Sequence, residues 1–298
     1  MSQTAVNHFK IADFGITIVF QSGNNSMDLL PSFSCFRVKP GQTSEDILAV
    51  TVDDALQPVP SAERELIRDI ETGNGIIKVD KIKEGGYQFI IRDIHGRDCC
   101  LLISDSHFSN VHCALNGSFN MRSYGLNSAM MLSFAFASAS RQTLLIHAST
   151  VVQGNYGYAF LAKSGTGKST QVAMWLNYLP GCELLNDDNP IVRVIDGKTY
   201  LFGSPWSGKT PCYRNRRVLA GAFVKIMRAK SNSVEREDTL GAWGTLLASV
   251  SSMKWDKGIY EMTCNTIKLL IETTDVYTLH CLPDKESAVI CNKTIKKE

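Results

Sequence analysis

The stretch that most constrains this chain is "YAFLAKSGTGKSTQVAMW", residues 158 to 175. An apolar run with strand character ends at Ala162, a tight turn carries Gly165 and Gly167, and Lys168-Ser169-Thr170 opens a segment of helical apolar spacing. Strand, glycine turn and helix start, in that order, gather backbone N–H groups and the positive end of a helix at one point, which suits a multiply charged anion. The usual pattern of such a loop is G-x-x-x-x-G-K-[ST], and the chain departs from it only at the first position, where Ala162 stands. Ala serves there if its φ stays negative. Read in this way, Ser164, Gly165, Thr166, Gly167, Lys168, Ser169 and Thr170 enclose the phosphates of a nucleotide such as ATP. Lys168 bridges the β- and γ-phosphates and Ser169 holds Mg²⁺.

The next predicted strand, "ELLNDD", ends in Asp187 and Asp188. A carboxylate at the end of a strand beside a phosphate loop is where Mg²⁺ takes an acidic ligand and where an acceptor hydroxyl finds a base, and two adjacent acids can divide those roles. The run Asp-Asp-Asn-Pro is also good turn chemistry. Beyond it, "PIVRVIDGKTYLFG" predicts two strands around Asp196-Gly197, a strong hairpin signal. A strand that runs at once into a hairpin implies antiparallel pairing, unlike the long crossovers and parallel sheets of G-proteins and motor ATPases.

Upstream, residues 9 to about 120 are short apolar runs such as "FGITIVFQ", "ILAVTV" and "YQFIIRDI", separated by turn chemistry such as "SGNNS", "KEGG" and "HGRD". This predicts a mostly β accessory or docking domain over 1–120, interrupted by one helix, "SAERELIRDIETG", capped by Ser61 and stopped by Gly73. The period then changes in "GLNSAMMLSFAFASASRQ", where Met130, Met131, Phe134 and Ala135 recur at helical spacing behind an Asn127 or Ser128 cap. That helix is expected to open a second, nucleotide-binding domain over 121–298.

Charge narrows the partners. With 31 basic and 29 acidic residues spread along the chain, nothing marks a nucleic-acid surface. No apolar run approaches the roughly 18 residues of a membrane span, and no leader pattern opens the chain, so a cytoplasmic protein with no membrane partner is expected. The nine cysteines form no C-x-x-C pair and are expected to be reduced thiols, and His107, His112 and Cys113 lack the spacing of a metal site. Basic residues Lys209, Arg214, Arg216 and Arg217 offer either a clamp for a transferring phosphoryl group or a solvated loop.

His147-Ala148-Ser149 at a strand end, the S-G-x-G-K-S-T loop, the Asp-Asp strand end and the segment Gly203, Pro205, Trp206 together resemble the bacterial HPr serine kinase group, related to phosphoenolpyruvate carboxykinase. The resemblance spans roughly residues 121 to 291 and is most specific at the loop and the Asp pair. It implies an α/β fold, a mixed-sheet nucleotide-binding domain, and an ATP- and Mg²⁺-dependent kinase acting on a hydroxyl of a peptide, protein or small molecule. By position it implies Lys168 and Ser169 on phosphate and Mg²⁺, Asp187 supporting the metal, Asp188 as base and His147 orienting the acids. The segment by which HPr kinases hold HPr is not identifiable here. A homo-oligomer is compatible with all of this, and the competing expectation is a non-catalytic ATP sensor reporting through the N-terminal region.

Overall fold

The computed structural model describes residues 4–21, 23–163 and 165–297. It is a mixed α/β protein with two large mixed sheets, divided into compact units Met1–Ser138 and Ala139–Glu298. Among the described residues no helix is long and apolar enough to cross a membrane.

The first unit holds β1 (Ala5–Ile11), β2 (Phe14–Phe20), β3 (Arg37–Val38), β4 (Asp46–Val52), β5 (Arg64–Thr72), β6 (Gly75–Ile82), β7 (Tyr87–Asp93), β8 (Asp98–Ser104), β9 (Asn110–Leu115) and helix α1 (Phe119–Ala137). They form one sheet in the order β3-β1-β2-β4-β9-β8-β7-β6-β5. Strands β5 to β9 are an antiparallel meander, while β4 pairs in parallel with both β2 and β9. Helix α1 is capped by Ser118, whose side chain accepts from the Met121 N–H, so it starts well before the expected Asn127 or Ser128. It lies on β7, β8 and β9, with Leu126, Met130 and Phe134 buried. Gly125 makes that contact close, because a Cβ there would sit 2.8 Å from the Cys99 carbonyl oxygen. The helix therefore belongs to the first unit, and the boundary falls at Ser138/Ala139 rather than near 121.

The helix expected over 61–73 is instead a 3-10 turn, Ser61–Glu63, followed by edge strand β5. Leu66 pairs with Asp80 and Arg68 with Val79, leaving Ile67 as the extra residue of a bulge. The bulge gives Arg64, Ile67 and Ile70 a spacing of three on the half-buried side, which in sequence imitates a helix face. The hairpin to β6 decides the outcome: Thr72 Oγ1 bonds the Gly75 carbonyl at 2.9 Å, and Arg64 is paired with the buried carboxylate of Asp80.

The second unit comprises β10 (Thr143–Leu145), β11 (Ala148–Gln153), β12 (Tyr156–Leu161), α2 (Lys168–Tyr178), β13 (Cys182–Asp188), β14 (Ile191–Ile195), β15 (Lys198–Phe202), β16 (Arg217–Arg228), β17 (Ser233–Arg236), α3 (Thr239–Leu247), α4 (Lys257–Thr273), β18 (Val276–Cys281) and α5 (Lys285–Ile295). Its sheet runs β10-β14-β15-β16-β12-β11-β13, with β18 also paired to β16 and β17 to β18. The β14–β15 hairpin turns through Asp196 (φ 50) and Gly197 (φ 70), the two positive angles that such a turn requires. Strand β16 is the longest: it pairs in parallel with β12 along its middle, antiparallel with β15 at its start and in parallel with β18 at its end.

Alternation along β12 sends side chains to two cores. Tyr158 and Phe160 pack with Val172 and Trp175 of α2 and Ala288 and Cys291 of α5, while Ala159 and Leu161 pack with Ala242 and Leu246 of α3 and Ile267 and Leu270 of α4. Trp175 holds α2 to the strand, its ring centroid 5.2 Å from Tyr158 and 5.3 Å from Phe160. It thus closes the strand–loop–helix unit from behind. Trp175→Ala should cost roughly 3–5 kcal/mol, measured as a lower denaturant midpoint for the second unit, with faster amide exchange over residues 162–168 than over α1.

Candidate functional site

The loop after β12 owes its shape to two glycines. Gly165 has φ 77 and Gly167 has φ 131, conformations costly for other residues, and a Cβ at either would meet nothing within 4 Å. The space where side chains at these two positions would stand is therefore open. Thr166 N–H closes the turn on the Lys163 carbonyl at 3.1 Å. Ser169 and Thr170 are exposed on the first turn of α2, and Ser164 lies outside the described residues.

Lys168, the first residue of α2, is 8% exposed, and its ammonium turns back into the loop. Nζ lies 2.9 Å from the Ala162 carbonyl oxygen, at the one position where the chain departs from the usual glycine, and 2.7 Å from His147 Nε2. His147 stands between β10 and β11, and its Nδ1 lies 3.0 Å from Asp188 Oδ1 at the end of β13. An ammonium has only donors, so on the neutral ring Nε2 accepts from Lys168 and Nδ1–H donates to Asp188. Residues far apart in sequence thus form one chain of hydrogen bonds from cation to carboxylate.

Partial burial disfavours the charged form of Asp188. The hydrogen bond from His147, the charge of that ring when protonated and the ammonium of Lys168 outweigh it, holding the carboxyl below its ordinary value. Burial likewise lowers the pKa of Lys168, against the opposing pull of Asp188 and Asp187. Asp188 also sits at φ 106, a strained angle for a side chain with a Cβ, bridged to Ser207 and with Gly208 so near that a Cβ there would fall 2.9 Å from its own.

Asp187 is placed differently. It is 4% exposed, and its two oxygens accept from Ser149 Oγ at 2.6 Å and from the Thr210 N–H at 3.1 Å. Its carbonyl accepts from the Gly208 N–H at 2.5 Å, so it pins segment 207–210 against β13. Asn186 beside it is fully buried, donating to the Trp206 carbonyl at 3.0 Å and accepting from the Asn189 N–H at 3.0 Å. The segment Gly203, Pro205, Trp206 is held there. Ser149 was legible only as the last residue of the His147-Ala148-Ser149 strand end, and Asn186 only as a polar residue inside an apolar strand.

The basic cluster is resolved as well. Arg214 and Arg216 both pair with Glu183, at 2.8 and 3.1 Å, and Arg217 stacks over Tyr200 at 5.3 Å. Glu183 lies near the start of β13, roughly 16 Å of strand from Asp188, so Arg214 and Arg216 form no clamp at the acid pair. A cation the sequence did not single out reaches the loop instead: Arg228, the last residue of β16, donates from Nη2 to the Gly165 carbonyl at 2.6 Å and from Nε to the Thr166 carbonyl at 3.0 Å. Beside these groups opens a cavity of ≈ 570 Å³ lined by His147, Ala162, Thr166, Lys225, Arg228 and Thr245 among others.

Among the described residues no group of three or more His, Cys, Asp or Glu side chains could hold a metal by itself. Mg²⁺ commonly takes only one or two protein oxygens and fills its shell with phosphate and water. The Ser169 hydroxyl and the acids at the end of β13 match that hard-oxygen chemistry.

No family model matches the chain, and no curated protein matches it. Among solved structures it is similar to the Hpr(Ser) kinase/phosphatase from Coxiella burnetii, at TM-score 0.30 and 11% identity over 52% of this chain and 93% of that chain.

The relay has a pH signature. A carboxyl held below its ordinary value stabilises the folded state above the unfolded pKa of about 3.9, and that contribution is lost as pH falls through the lower folded-state value. Asp188→Asn should therefore flatten the acid limb of a stability-against-pH curve below about pH 4. A limb of unchanged slope would show the carboxylate to be unlinked to folding.

Proposed function

We propose that the second unit binds Mg-ATP on the Gly165–Thr170 loop and transfers the γ-phosphoryl group to a hydroxyl of a peptide, protein or small molecule. The observation that supports this best is the hydrogen-bonded chain Lys168–His147–Asp188, 2.7 and 3.0 Å, beside an open glycine turn at a helix N-terminus. A loop that only had to turn has no use for a buried ammonium linked through a histidine to a half-exposed carboxylate.

The roles follow from the surroundings of each group. Lys168 supplies positive charge to the phosphates as it exchanges its present partners for them. Asp188 is the acid open to solvent and ionised at neutral pH, so it accepts the proton of the attacking hydroxyl. His147 fixes the orientation of that carboxylate through Nδ1. Asp187, with both oxygens already bonded, holds the strand end and the 207–210 segment and has remaining lone pairs for a cation. Together with Ser169 it would hold Mg²⁺, which when bound supplies charge neutralisation on the phosphate oxygens. The acceptor approaches from the side of Asp188, and the chain's own work is positioning and charge placement.

Two variants separate the functions of the site. Saturating Mg-ATP should raise the wild-type melting temperature by roughly 5–10 °C at a hundredfold excess over Kd, and Lys168→Ala should abolish most of that shift. Asp188→Asn should bind Mg-ATP within a few-fold of wild type yet lose roughly 10²-fold or more in slow ATP hydrolysis, with water standing in for the acceptor. Tight binding by a wild type that neither hydrolyses ATP nor labels any component of a cell extract would assign the unit to nucleotide sensing instead.

A further inference from the structure

We infer that Arg228 is the positioning residue of the glycine loop, setting the direction of its peptide groups for an anion; this rests on the phosphate-binding reading above. Strand β16 reaches the loop because of its register. Leu161, the last residue of β12, pairs with Lys225, so Ile226, Met227 and Arg228 carry β16 roughly 10 Å past the end of β12 and up to the turn. The guanidinium there is planar and two-pronged, and it takes two successive carbonyls, those of Gly165 and Thr166, at 2.6 and 3.0 Å.

The described backbone contains no cis peptide, and in a trans peptide the C=O and the following N–H point in opposite directions. A Thr166 carbonyl drawn to Arg228 therefore turns the Gly167 N–H away from it. The same holds for Gly165 and the Thr166 N–H, which in the present state closes the turn on Lys163. Without the guanidinium the Thr166 carbonyl carries no fixed direction, and the Gly165–Thr166 peptide is held only by the Thr166 N–H bond to Lys163. The glycines at φ 77 and φ 131 allow the peptides between them to rotate, and a carbonyl turned inward would meet an arriving phosphate with its own negative end. Arg228 thereby removes an electrostatic fault to which a glycine loop is prone, and it adds a positive charge behind the turn without spending a donor on the ligand. Lys cannot replace it fully, because a single ammonium does not span two carbonyls with the same planar geometry.

Amide hydrogen exchange on the nucleotide-free protein tests the backbone claim directly, and calorimetric titration with Mg-ATP tests its consequence. Arg228→Ala should speed exchange in peptides covering 162–168 while leaving α1 and α4 at wild-type rates, and should weaken Mg-ATP binding roughly tenfold or more. The loss should fall on KM more than on hydrolysis at saturation. Arg228→Lys should recover part of the affinity, and Arg228→Gln, neutral but able to donate, should recover less. Unchanged loop exchange in Arg228→Ala, or a Kd within twofold of wild type, overturns the inference and leaves the nucleotide reading standing. A wild type that does not bind Mg-ATP sinks both. Should Arg228→Ala unfold, seen as fast exchange throughout the second unit, Arg228→Lys and Arg228→Gln carry the same comparison.

Discussion

The parallel pairing of β12 with β16 is the contact on which the second unit depends. It places an apolar strand in the middle of the sheet with both faces covered, α2 and α5 on one side and α3 and α4 on the other. Because the pair is parallel, both strands point their C-terminal ends to the same edge, and the glycine loop and the end of β16 meet there. Strand β11 runs antiparallel beside β12, so its first residues, next to His147, come to that edge too, and β13, antiparallel to β11, delivers Asp187 and Asp188 to it. Four separate segments arrive at one place through strand direction alone.

Within that arrangement the two adjacent acids have different lives. Asp187 is enclosed and satisfied by Ser149 and Thr210, whereas Asp188 is turned by a strained backbone toward His147 and solvent. Alternation along a strand separates neighbours onto opposite sides, and the irregular angle at Asp188 completes the separation. Equal chemistry in sequence becomes unequal chemistry in space, since burial and partners decide what a carboxylate can do.

Much of this was legible in the sequence wherever local chemistry decides local structure. The strand, turn and helix start around Gly165 and Gly167, and the Asp196-Gly197 hairpin, needed only turn propensities and periodicity. Residues 61–73 imitate a helix in sequence because a bulge at Ile67 imposes a spacing of three on an edge strand, a tertiary effect invisible to periodicity. Helix α1 was recognised as a helix but assigned forward, since the close approach that binds it to β8 rests on Gly125, which in sequence is only a poor helix former. Arg228 gave no signal at all: its partners are two carbonyl oxygens, and main-chain acceptors leave no trace in the residues that carry them.

Lys168 illustrates a further consequence of this packing. Its ammonium already has the Ala162 carbonyl and the His147 ring as partners in the ligand-free protein. An anion bound on this loop, as proposed, would not relieve a bare charge but compete for one in use. The heat of such binding would be a difference between two well-bonded states and not the full strength of the new contact. Displacement of Lys168 by such an anion would also leave His147 Nε2 open, so that occupancy of the loop and the bonding of the imidazole would change in a single exchange.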